Sequence, residues 1–163
     1  MRRDKNLVLL SHQHHNALAL CVCIERSLSP EYAGRCKQAS AEELQADIEH
    51  QFRNEIQYHF DAEERVLFPA ARLVPGLVML VDELRAEHAV LRGFAARAQA
   101  RQLTMAELQT FAGALSAHVR KEERQLFEGI QARLSPEKLA HTGEQLHAYF
   151  RSSGMPGAAC RLR

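Results

Sequence analysis

Two ten-residue segments, one starting at His59 and the other at His118, share the pattern H-x-x-x-E-E-R-x-L-F. A His and a Glu four residues apart lie on one face of a helix, one turn above the other. The pattern therefore makes sense only where both segments are helical, and each then aims an imidazole and a carboxylate the same way. The rest of the chain agrees. Between its sparse Pro and Gly the residues are helix formers (Ala, Leu, Glu, Gln, Arg), with few β-branched runs.

The helix boundaries are marked. Ser40-x-x-Glu43 and Thr104-x-x-Glu107 match a capping box, and Ser135-Pro136 gives a cap followed by Pro at the first helical position. Pro30 with Gly34, and Pro75 with Gly76, mark connections. These signals predict helices at about 5–28, 41–73, 77–101 and 104–133, and a shorter one at about 136–151. Pro69 should kink the second helix or open its last turns. The short connections favour antiparallel neighbours, so the predicted fold is all-α, an up-down-up-down four-helix bundle with an extra C-terminal helix. One domain should cover 1–151, with 152–163 as a loose, disordered tail around Gly154, Pro156 and Gly157.

In such a bundle the two repeats run in the same direction on diagonal helices. His59 lies 14 residues before Leu73, and His88 lies 11 after Leu77; His88 lies 13 before Arg101, and His118 lies 14 after Thr104. At ~1.5 Å per residue these heights agree to about one turn. His14 and His15 fall near the middle of the first helix, so each of the four helices can bring a His to one layer. Imidazoles and carboxylates in a core are costly unless something satisfies them. Mixed nitrogen and oxygen ligation suits iron, with manganese or zinc as substitutes. Two bridging carboxylates plus two His at each ion would complete four protein ligands per metal, leaving positions for water, an oxo bridge or dioxygen.

These residues resemble the hemerythrin-like, HHE cation-binding domain, over roughly residues 7–130. Its markers are a His on the first helix, H-x-x-x-E on the second, a His on the third and H-x-x-x-E on the fourth. They fall here on His14 or His15, His59 with Glu63, His88, and His118 with Glu122. The resemblance implies a non-haem di-iron centre, with a bridging oxo or hydroxo group, that binds or handles oxygen, nitric oxide, peroxide or iron itself. Oxygen-carrying members hold a second His on the third helix, one turn from the first. Here those positions are Leu84 and Arg92, which implies a more open site and less aptitude for reversible oxygen carriage. The extra N-terminal domain of the iron-sulfur repair members has no counterpart.

Other polar residues read differently. His14 shares a stripe with Leu7, Leu10, Ala17, Leu18 and Cys21, and His15 sits about 100° round from it. Glu64 and Glu123 point about 100° from the ligand carboxylates and should pair with Arg or face solvent. Glu55, one turn before His59, is a further candidate for a ligand or for an acceptor behind one. Glu87 and Arg92 are candidates for supporting a ligand, since a ligating His donates its other N–H. Arg92 could instead swing to the surface. His12, His50, His141 and His147 read as surface residues, and Cys21 and Cys23 as core packing.

Twenty-one Lys and Arg against twenty Asp and Glu leave a formal charge of +1, which argues against a nucleic-acid footprint and a polybasic membrane patch. The longest apolar stretch, Ala17 to Ile24, falls far short of the ~20 residues that cross a bilayer. It does offer a surface for a homodimer through the first helix. Without a cleavage site or a C-x-x-C pair among Cys21, Cys23, Cys36 and Cys160, the expected compartment is a reducing cytoplasm. Two further readings stand beside the di-iron binder: a metal-dependent oxidoreductase of peroxidase or ferroxidase type, and a metal-free helical interaction module.

Overall fold

The computed structural model describes residues 3–29, 31 and 39–156. The expected connection at Pro30 and Gly34, with Cys36, lies outside them, as do Gly157 and Cys160. Every element among the described residues is helical. The first is α1 (Val8–Leu28). A second rod runs unbroken from 41 to 71: α2 (Ala41–Gln51), a π-helical turn (Phe52–Ile56), α3 (Gln57–Ala62), a second π turn (Glu63–Leu67) and α4 (Phe68–Ala71). Then come α5 (Val78–Gln99) and a rod made of α6 (Met105–Lys121), a third π turn (Glu122–Leu126) and α7 (Phe127–Arg133). The chain closes with α8 (Pro136–Ser152).

The start signals act as their chemistry requires. Ser40 accepts from Glu43 N–H while Glu43 reaches back to the Ser40 N–H, and Thr104 and Glu107 do the same. Ser135 caps α8 through Lys138 N–H, with Pro136 in the first turn. The second rod stops at Ala71 rather than at 73, since Leu73 N–H folds back to Ala70 C=O and the residue before Pro75 is steered out of the helical region. Gly76 then turns the chain with φ 89°, a conformation that costs a residue without Cβ little. Pro69 does not kink a regular helix; it sits in the first turn of α4, directly after a π turn.

Packing follows the apolar stripes. α1 lies along α6, α2 along α5, and α5 also meets α6. α8 packs on α3 and on the π turn at 63–67, burying Leu139, Leu146 and Phe150. The core is two apolar clusters. One holds Leu10, Ala62, Leu84 and Leu126; the other holds Ala17, Ile56, Leu91 and Leu115. On every rod the switch from one cluster to the other flanks a buried polar residue: His14, His59 with Glu63, His88, or His118 with Glu122. A polar layer thus divides the core. Of the expected loose tail at 152–163, only 152–156 is described, and within it Met155 is 5% exposed and belongs to the first cluster.

Candidate metal centre

Of the seven sequence-derived candidates, six meet in this layer. Donor atoms of His14, His59, Glu63 and Glu122 all lie within 4.8 Å of one another, and so do those of Glu63, His88, His118 and Glu122. The two carboxylates belong to both groups. His15 does not belong to either: it is exposed, on the outer face of α1 beside a surface hollow that His12 also lines. The turn of ~100° per residue that buries His14 carries its neighbour out to solvent.

Each carboxylate divides its oxygens between the two His pairs. Glu122 Oε2 lies 3.0 Å from His14 Nε2, and Glu122 Oε1 lies 3.2 Å from His118 Nε2 and 3.8 Å from His88 Nε2. Glu63 Oε1 lies 3.3 Å from His59 Nε2, and its Oε2 lies 3.4 Å from His88 Nε2. Within the pairs, Nε2 atoms stand 2.9 Å apart in His14–His59 and 3.2 Å apart in His88–His118. Metal bonds of about 2.1 Å at right angles would set neighbouring donors about 3 Å apart. The spacing fits.

The outer nitrogens explain why these Nε2 atoms point at acceptors. His14 Nδ1 meets Glu123 Oε1 at 2.7 Å, His88 Nδ1 meets Glu64 Oε1 at 2.9 Å, and His118 Nδ1 meets Glu87 Oε2 at 2.8 Å. His59 Nδ1 meets Gln13 Oε1 at 2.8 Å. An ionised carboxylate or an amide oxygen can only accept, so each Nδ1 donates. In the neutral imidazole that leaves Nε2 with a lone pair. All four oxygens of Glu63 and Glu122 are buried, and beside neutral imidazoles none of them has a hydrogen-bond donor. The layer therefore collects four nitrogen and four oxygen acceptors with no donor among them. Cations satisfy such a set.

Without metal, protons take that place. Burial opposes charging His14, yet hydrogen bonds with Glu122 and Glu123 raise its pKa to about 9. Burial likewise opposes charging His118, whose pKa the Glu122 charge and hydrogen bonding lift to about 10. Burial would raise Glu63 and Glu122 too, but the imidazoles around them hold both below the ordinary carboxylate range.

Aromatic rings close the walls. His88 stacks between Phe60, at 3.8 Å between centroids, and Phe68, at 5.4 Å; His14 stacks on Phe127 at 5.3 Å. Leu84 and Arg92 supply no donor: Leu84 is wholly buried in the apolar cluster, and Arg92 is drawn outward to Glu64 and Asp61. Glu55 is buried and held by Asn16 Nδ2 at 2.9 and 3.1 Å, outside both donor groups. Cys23 is exposed rather than packed in the core, whereas Cys21 is buried.

Three contacts to the outer His nitrogens, from Glu64, Glu123 and Gln13, do not follow from the sequence. Glu64 and Glu123 do pair with Arg as expected, with Arg92 and Arg3, but each also grips the outer nitrogen of a His on another rod. Their signal was present in the doubled Glu of both repeats, which start the two wide π turns. Such turns often mark functional sites. Gln13 had no signal at all beyond its place before His14. Glu87 does hold one of the converging imidazoles, although it is that of His118 and not of its neighbour His88.

No curated protein and no solved structure was found to match this chain. Residues 6–130 match the sequence model of the hemerythrin HHE cation-binding domain. That span contains both repeats, the three supporting carboxylates and all six converging donors. The chain belongs to the hemerythrin HHE cation-binding domain family.

Proposed function

We propose that this protein is a non-haem di-iron protein that binds oxygen, nitric oxide or peroxide, and so senses or handles one of them or iron. The observation that supports this reading is the division of Glu63 and Glu122, one oxygen to each His pair. That arrangement suits two ions sharing two carboxylates, with His14 and His59 at one and His88 and His118 at the other. Two ferrous ions would supply two electrons and open positions for a small diatomic ligand or peroxide. Mixed imidazole and carboxylate donors suit iron first, with manganese or zinc as substitutes. The chain's own part is to hold the donors, satisfy each Nδ1 and keep water out with Phe60, Phe68 and Phe127.

The finer architecture belongs to the same proposal: an up-down-up-down bundle of α1, the 41–71 rod, α5 and the 105–133 rod. The short links at 72–77 and 100–104 support it. Among the described residues no helix is long and apolar enough to cross a membrane. A reducing cytoplasm suits the free thiols of Cys21 and Cys23, and Val22, 40% exposed on α1, would fall within a homodimer contact.

A second reading, turnover, draws support from Leu84 and Arg92. Neither offers a donor where a further His would fill a coordination position, and an open position favours repeated reaction with peroxide or oxidation of Fe(II). Protein loaded anaerobically with Fe(II) and exposed to oxygen, nitric oxide or peroxide separates the readings. A binder consumes one equivalent and stops, whereas an enzyme continues. Loaded protein whose near-ultraviolet absorption responds to none of them would refute both.

A further inference from the structure

The two repeats use their residues in matched ways. Each supplies an inner His (His59, His118), a shared carboxylate (Glu63, Glu122) and a following Glu that grips a His elsewhere: Glu64 on His88, Glu123 on His14. The rods α1 and α5 complete the match. On α5, Glu87 precedes His88 and accepts from His118. On α1, Gln13 precedes His14 and accepts from His59. Gln13 thus holds the place of Glu87, with a neutral amide where its counterpart has a charge.

The difference continues outward. Glu87 is tied to Lys121, Glu64 to Arg92 and Glu123 to Arg3. Lys121 directly precedes Glu122, and the matching residue before Glu63 is Ala62. Among the described residues no ion pair holds Gln13, the partner of His59, as those three carboxylates are held. Gln13 instead gives its amide N–H to Met155 Sδ at 3.5 Å, a soft and weak acceptor. Met155 belongs to the short segment after α8, and Pro156 beside it lines a hollow with Asn16 of α1.

The His14–His59 pair is also slightly the less buried. His14 and His59 are 3% and 4% exposed, while His88 and His118 are 0% and 1%. Gln13 lines a surface hollow of about 670 Å³ with Leu9, His12, His15 and Asn16. A carboxylate behind a ligating His makes it a better donor, and changing such a partner typically shifts metal affinity 10–100-fold.

We propose that the two metal positions are unequal, and that Gln13, covered by Met155, makes the His14–His59 position the exchangeable one. Gln13 is a positioning residue: it orients His59 and stands between that imidazole and the surface hollow. The inference rests on the two-ion reading above.

The test uses full-length protein loaded anaerobically with Fe(II), its iron counted and then chased with a colorimetric ferrous chelator. The parent should release its iron in two phases of one equivalent each. Gln13→Glu should slow the fast phase about tenfold or more and leave the slow phase unchanged. Met155→Ala keeps Gln13 but removes its cover, so it should accelerate the fast phase alone; it also serves if Gln13→Glu fails to fold. Parent protein that holds two irons and releases both in one phase overturns the inequality and spares the two-ion reading. Variants that shift both phases equally overturn the role of Gln13 and Met155. Parent protein that never holds two irons refutes the two-ion reading, and this inference with it.

Discussion

Glu64 stands one residue beyond a shared carboxylate, yet it meets Nδ1 of His88 at 2.9 Å from a neighbouring rod. Arg92 binds the same Glu64 oxygen at 2.6 Å and Asp61 at 3.0 Å. Its guanidinium also lies over Phe60, 5.5 Å from the ring centroid. Arg92 therefore acts two bonds away from any donor, through Glu64. Arg92→Leu should leave the metal content intact and lower Tm by about 2–4 °C, the effect of roughly 1 kcal/mol in a domain of this size. Calorimetry with elemental analysis checks it. Loss of metal from this variant would show that the guanidinium matters to the centre directly.

Glu64→Gln should cut deeper. The amide can still accept from His88, but the negative charge behind the imidazole is gone. Affinity for one of two metal equivalents should fall about 10–100-fold, read by competition with a chelator of known strength. An unchanged affinity would reduce Glu64 to a packing residue.

Glu63→Ala and Glu122→Ala test the sharing of carboxylates. Each removes one donor from both groups and leaves the opposite carboxylate in a buried layer. Each variant should bind fewer than two metals per chain, and full retention of two by both would show that neither carboxylate bridges.

The legible part of this molecule was what repeats or punctuates. The capping boxes at Ser40 and Thr104 and the Pro after Ser135 place three helix starts, because caps are local chemistry. The six converging donors follow from helical spacing and depth alone. His14 could not be separated from His15 that way, since the stretch from Ala17 to Ile24 is apolar nearly all round and fixes no inward face. Burial of His14 is decided by α6, against which α1 packs. The Nδ1 partners were hidden for a related reason: Glu123 and Gln13 reach imidazoles on other rods, and such pairings depend on helix rotation. The packing of Met155 is not legible either, because its neighbours Gly154 and Pro156 signal only that the helix ends. They do not signal what the chain then touches.

The raised pKa values set a pH dependence. In metal-free protein His14 and His118 hold protons up to about 9 and about 10, against 6.5 for an ordinary imidazole. A pKa raised on folding contributes stability that is complete below about 6.5 and is lost as pH climbs through the folded values. Bound metal displaces those protons, so the loaded protein should not lose this contribution. The gap in Tm between loaded and metal-free protein should therefore widen from pH 6.5 to pH 9. Differential scanning calorimetry across that range checks it, and a gap that narrows would contradict the assignment of these protons.

The most direct test of the central claim is the metal content of the parent protein, measured by elemental analysis after anaerobic loading with Fe(II) and removal of unbound ion. Six converging donors with two shared carboxylates require about two irons per chain, bound tightly enough to survive desalting. One iron per chain would contradict the sharing of Glu63 and Glu122, and none would contradict the metal centre itself.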